Sequence, residues 1–165
     1  MKKILITLFF ELFACFVMAQ TVVDTEPAYK RLPNVPPFTI TLLSDSSIFA
    51  KEDLKKRKQT LIFLFSPDCG HCEHTTTELL AKYESFKKIQ IVMVSNMAYY
   101  IVKKFYEKFN IAAYPTIKIG IDKNYFLGSF YKLTSYPTIF LYNKKGKYKA
   151  TFNSSNTIED IIAAL

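Results

Sequence analysis

Cysteine and histidine are scarce in this chain: three and two of 165 residues, with no tryptophan. The scarcity bears first on metal chemistry. Cys69, His71, Cys72 and His74 are four potential ligands, but they are packed into one short stretch. A single helical turn cannot wrap four ligands tetrahedrally around an ion. The expectation is no metal and no cofactor. Long hydrophobic runs are also missing. Ile4 to Phe10 and Leu12 to Val17 are separated by Glu11, and neither approaches the roughly 20 residues of a membrane-spanning helix. Acidic residues are outnumbered, 14 against 22 basic, for a formal charge of +8. The lysines are scattered rather than gathered into a stripe, so no nucleic-acid partner is expected. The densest cluster, Lys55-Lys56-Arg57-Lys58, falls in a short connection. It reads as a solvated loop, the alternative being a surface for an acidic partner.

What the N-terminus does contain is the pattern of an export signal over residues 1–19: basic Lys2-Lys3, the two apolar runs, and Val17-Met18-Ala19 before Gln20 as a cleavage site. The expected location is the periplasm or cell envelope. Leu12-Phe13-Ala14-Cys15 offers a second processing route, lipidation at Cys15. Membrane association is expected only if the chain is lipidated or the signal stays uncleaved. Cleavage removes Cys15, leaving Cys69 and Cys72 as an even pair. In an oxidising compartment such neighbours are normally bonded. A structural disulfide gains most by closing a long loop, and this one closes four residues, which suits chemistry better than stability.

The surroundings of that pair support a chemical role. Thr60-Leu61-Ile62-Phe63-Leu64-Phe65 is a continuous apolar run, as in a strand covered on both faces. Ser66-Pro67-Asp68 ends it. Beyond the second cysteine, Thr76, Leu79, Leu80, Tyr83 and Phe86 recur at helical spacing, so the cysteines fall in a helix's first turn. Residues three apart share a face there, and the free N–H groups and positive dipole end favour a thiolate. A thiolate is the reactive species in disulfide exchange.

Along the chain, residues 20–37 are polar or punctuated by proline and read as a leader that orders late, before a domain over residues 38–165. Phe38 to Leu43 alternates like a strand, Ser44 to Ser47 has turn chemistry, and Lys51 to Lys56 suits a short helical turn. After the Cys-bearing helix, which the pattern extends to about Lys87, come a strand over Ile89 to Ser95 and a helix marked by Tyr99, Val102, Phe105, Tyr106 and Phe109. In Ile111 to Lys132, Ile117 and Ile119 alternate, while Asn124 to Phe130 reads as a loop or a helical turn. Thr138 to Tyr142 and Tyr148 to Phe152 read as a hairpin around Asn143-Lys144-Lys145-Gly146, and Thr157 caps a last helix with Glu159 and Asp160 in its first turn. A parallel half feeding an antiparallel half is an α/β layered fold.

That order, with Cys-x-x-Cys opening the first main helix, resembles the thioredoxin fold: a central mixed β-sheet flanked by helices, with a C-terminal β-hairpin and helix. Phe65-Ser66-Pro67-Asp68-Cys69-Gly70-His71-Cys72 resembles the active-site segment of exported redoxins of the TlpA-like group. The resemblance implies a thiol–disulfide oxidoreductase. Cys69 is then the attacking thiol, Cys72 the resolving thiol, and exported protein thiols or disulfides the substrates, with a redox partner of unknown identity. It also implies a cis-proline facing the dithiol. Tyr114-Pro115-Thr116 and Tyr136-Pro137-Thr138 compete, and only Pro137 is followed at once by the hairpin; the backbone of Tyr136 then holds the partner as an added strand. His71, as the spacer also found in disulfide isomerases, stabilises the reduced form and makes the disulfide more oxidising, while Asp68 beside Cys69 opposes thiolate formation. Three features depart from the family: Asp68 stands where tryptophan is common, Phe63 where an acid is often buried, and Glu73 to Thr77 lack the mid-helix proline. Glu73 and Glu78 are the substitute proton acceptors on offer. Two rival readings remain at this point: an extracytoplasmic copper- or zinc-handling protein using Cys69 and Cys72, and a peroxiredoxin-like antioxidant suggested by Ser66 three residues before Cys69.

Overall fold

The computed structural model describes residues 26–165; the expected signal over residues 1–19 and Cys15 lie outside the described residues. The strand over Thr60–Leu64 (β3) is buried along its whole length. It pairs in parallel with Gln90–Ser95 (β4) and antiparallel with Thr138–Tyr142 (β6). Burial on both sides explains its continuous apolar run. The full sheet has seven strands in the order β2-β1-β5-β4-β3-β6-β7. The remaining members are Thr39–Leu42 (β1), Ile48–Ala50 (β2), Ile117–Ile121 (β5) and Tyr148–Asn153 (β7). β3, β4 and β5 are parallel; every other pairing is antiparallel. This is the thioredoxin fold, with the hairpin β1–β2 at one edge of the sheet.

Two cores follow from strand alternation, because successive side chains point to opposite faces. Leu61 and Phe63 belong to one, Ile62 and Leu64 to the other. The first lies under the helices Gly70–Ala81 (α2), Tyr83–Phe86 (α3), Tyr99–Lys108 (α4) and Ile158–Ala163 (α6), through Cys72, Leu79, Phe105 and Ile161 among others. The second is covered by the short helices Ala28–Arg31 (α1) and Phe126–Tyr131 (α5). There Tyr131 stacks on Phe140 with centroids 3.7 Å apart, and its hydroxyl meets that of Tyr142 at 2.6 Å, so each buried phenol partners the other. Burial pushes both phenols above their usual pKa.

Several boundaries differ from the sequence reading. The long Cys-bearing helix breaks at Lys82, whose backbone leaves the helical region. The break turns Tyr83 towards Tyr114, edge-on at 4.8 Å, and its hydroxyl to Thr116 at 2.8 Å. Lys51 to Lys56 forms only a 3₁₀ turn over Lys51–Asp53, preceded by the three-residue β2, which is too short to show a period. In the stretch after Ile111, the alternating Ile117 and Ile119 lie in β5, and Asn124 to Phe130, which reads as a loop or a helical turn, supplies most of α5. β5 contains Gly120, where a Cβ would come within 2.8 Å of the Thr41 carbonyl oxygen, so close approach of β1 requires glycine there. At the C-terminus, Thr157 Oγ1 accepts the Asp160 N–H, and Asp160 Oδ2 accepts the Thr157 N–H at 2.8 Å, a complete capping box.

Residues 28–35 are packed against the domain. Tyr29 contacts the rings of Tyr131, Phe140 and Tyr148 at 5.2–5.7 Å, and the Val35 N–H donates to the Gly146 carbonyl at 3.0 Å. Three aromatic contacts at one side chain predict that Tyr29→Ala costs about 2 kcal/mol. Urea unfolding measures this; a loss below about 0.5 kcal/mol, the range of an ordinary surface change, would show that the segment is dispensable.

Candidate dithiol site

β3 ends at Leu64, and Phe65 still donates to the β4 carbonyl of Val94 at 3.0 Å. The chain then turns through Ser66-Pro67-Asp68, and Cys69 becomes the N-cap of α2. The Cys69 sulfur accepts the Cys72 N–H at 3.3 Å, the bond that a serine or aspartate oxygen makes at an ordinary cap. The helix start therefore turns a donor and its positive end towards Cys69 Sγ. Both cysteines are present as free thiols. Cys69 is half-buried, whereas Cys72 is fully buried, so only the first sulfur can be reached from outside.

Cys72 is the first of three inward residues on α2, followed by Thr76 and Leu79. Its neighbours in the core include Phe63 and Phe65. Burial pushes the Cys72 thiol far above its usual pKa, and contact with Cys69 adds to the rise, against an opposing backbone hydrogen bond from Ser66. The two carboxylates expected as substitutes for a buried acid are engaged elsewhere. Glu73 pairs with Lys108 at 2.6 Å, and Glu78 with His74 at 3.6 Å. Phe63 itself is 0% exposed. At the position lacking the mid-helix proline, the Thr77 hydroxyl donates to the Glu73 carbonyl at 2.9 Å, a local competitor for the helix's own bonds.

The loop before β6 forms the other wall. The Tyr136–Pro137 peptide bond is cis, and the Tyr136 carbonyl accepts from Cys69 Sγ at 3.6 Å. Pro137 is buried and Tyr136 is half-buried. Pro115 is exposed and precedes β5. Asp68 and His71 are both exposed beside Cys69. His74 is turned away to Glu78, so Cys69, His71, Cys72 and His74 do not converge; among the described residues no three His, Cys, Asp or Glu side chains form a metal cluster.

Two neighbours were missed in the sequence. Asn96 Oδ1 accepts the Tyr136 hydroxyl at 3.2 Å. Asp122, 4% exposed, follows β5 and accepts the Leu127 N–H at 2.7 Å, fixing the start of α5. Burial raises the Tyr136 phenol pKa, with Tyr125, Cys72 and Asp122 adding to it. The available signal was positional: both residues sit just past the carboxyl ends of parallel strands, where sites in α/β sheets gather.

The thioredoxin-like domain family matches residues 50–165, and the chain belongs to that family. No curated protein sequence matches it significantly. Solved structures share the fold at low identity. A secreted Mycobacterium tuberculosis disulfide oxidoreductase homologous to E. coli DsbE superposes with a TM-score of 0.65 at 20% identity, over 82% of this chain and 98% of its own. A thiol-disulfide oxidoreductase from Bacteroides fragilis gives 0.65 at 13%, over 80% and 99%. The exposed lipoprotein thioredoxin Etrx1 of Streptococcus pneumoniae gives 0.58 at 20%, over 79% and 100%.

The asymmetry of the pair predicts selective alkylation. At neutral pH the raised pKa keeps Cys72 a protonated thiol, so iodoacetamide should label Cys69 about a hundredfold faster or more. Urea should release Cys72 to react. Peptide mass mapping reads both rates, and comparable labelling in the folded protein would contradict the burial of Cys72.

Proposed function

We propose that this chain is an exported thiol–disulfide oxidoreductase that exchanges disulfides with other exported proteins through Cys69 and Cys72. The observation that carries the reading is the placement of a half-buried sulfur at a helix start, 3.6 Å from the Tyr136 carbonyl, with a second, buried thiol behind it. The secreted and lipoprotein structural neighbours support an extracytoplasmic location, as does the signal pattern of residues 1–19.

In the reducing direction, the Cys69 thiolate attacks one sulfur of a partner disulfide. That S–S bond breaks, a mixed disulfide forms, and the first partner sulfur leaves and takes up a proton. Cys72 then loses its proton and attacks Cys69 Sγ, releasing the second partner thiol and leaving Cys69–Cys72 as the disulfide. Two electrons pass to the partner; in the oxidising direction the same steps run in reverse. The pKa of Cys72 matters here, because a thiol kept protonated cannot resolve until the partner's arrival alters its surroundings. Tyr136 holds the partner by its backbone, with Pro137 setting the loop. His71 and Asp68, exposed beside the attacking sulfur, set the poise between them.

Cys72→Ser should accumulate mixed disulfides with exported proteins, visible on non-reducing gels and absent from the Cys69→Ser, Cys72→Ser double variant. No trapped species, with Cys69 still alkylating, would exclude a protein substrate. Equilibration with glutathione fixes the direction: a potential near about −270 mV marks a reductant, and about −180 to −120 mV an isomerase or oxidant. On the reading that His71 stabilises the reduced form, His71→Ala should lower the potential, by about 30 mV for a tenfold change in equilibrium. An unchanged value would make His71 a bystander.

A further inference from the structure

At the end of the sheet opposite the dithiol, a concavity of about 430 Å³ is floored by Thr60 and Gln90, the first residues of β3 and β4. β3 is five residues long, so at about 3.3 Å per residue this floor lies on the order of 16 Å from the strand end that leads to Cys69. Four consecutive cations at positions 55–58 line it, joined by Lys51 on one side and by Lys144 and Lys145 of the β6–β7 turn on the other. The turn is brought there by the Val35–Gly146 hydrogen bond and the Asn34–Lys147 bridge. In the sequence, only the first cluster is visible.

Among the described residues, no carboxylate lines the concavity. The adjacent Asp53 is turned to accept the Ala50 N–H at 2.8 Å. None of these seven cations joins an ion pair among the described residues, whereas Lys82, Lys87, Lys103 and Lys108, on the helical side, all do. Holding like charges together without counter-charge is unfavourable, and an anionic surface relieves it. The same face receives the N-terminal segment: Asn34 and Val35 line the concavity, and Leu32, two residues earlier, is 62% exposed. A concave basic face of this kind draws a protein to an anionic bilayer.

We propose that this basic concavity docks the protein on an anionic phospholipid surface, leaving the dithiol at the far end of the sheet facing away from the lipid. The docking is independent of the redox reading and has its own readout. Flotation of the full chain is measured with phosphatidylcholine vesicles and with vesicles in which a quarter of the lipid is phosphatidylglycerol. The expected result is binding at least about tenfold stronger to the anionic vesicles, suppressed by high salt. The combined Lys55→Gln, Lys56→Gln, Lys144→Gln and Lys145→Gln variant should lose that preference while its Cys69 alkylation rate stays unchanged. Lys103→Gln with Lys104→Gln, on α4, should keep it. Equal binding to both lipids, or equal losses in the two variants, overturns the proposal. So does a chain that ignores anionic vesicles yet binds polyglutamate, which would assign the concavity to an acidic polypeptide.

Discussion

β3 hydrogen-bonds in parallel to β4 on one side and antiparallel to β6 on the other, and both walls of the dithiol site depend on this double pairing. Cys69 is five residues beyond the carboxyl end of β3. Tyr136 is two residues before the start of β6, whose first residue, Thr138, is registered against Leu64. The register therefore determines that a helix start and a carbonyl-bearing loop meet at one sulfur. A one-residue slip in either pairing would reverse the faces of every side chain on the slipped strand. The core resists this, because Leu61 and Phe63 pack under the helices while Ile62 and Leu64 pack under the opposite layer.

The site's electrostatics have an unusual distribution. The polar side chains beside Cys69, Asp68 and His71, are on the outside, in contact with solvent. Behind it lie Phe63, Phe65 and Thr76 in place of a buried carboxylate. Burial in this apolar backing raises the pKa of Cys72, and Cys69 beside it adds to the rise. The nearest acids of α2 cannot substitute without breaking the Glu73–Lys108 and Glu78–His74 pairs.

Much of this arrangement is legible in the sequence because it rests on local patterns. The apolar run of β3, the cysteine spacing and the capping Thr157 are each decided within a few residues. The choice of Tyr136-Pro137 over Tyr114-Pro115 used the hairpin that follows it. What was not legible depends on distant partners. β2 is three residues long and is defined by its pairing with β1. β5 contains a glycine that is there for the Thr41 carbonyl, 79 positions away in the chain. The break at Lys82 answers to Tyr114 and Thr116. Asp122 and Asn96 reach the site because three parallel strands end side by side, which no single segment reveals.

The Tyr29 contacts also bear on the order in which the chain can fold. Tyr29 is made early in synthesis, but the rings it docks against, Tyr131, Phe140 and Tyr148, are among the last parts made. β3 likewise waits for β6 before its second edge is covered. A chain emerging amino end first must therefore carry an open sheet edge and an undocked leader until the final hairpin is released. Contacts so distant in sequence close slowly and leave apolar strands exposed meanwhile. The late hairpin thus completes the sheet, supplies two of the rings that seat Tyr29 and follows directly on the second wall around Cys69, leaving only the last helix to pack.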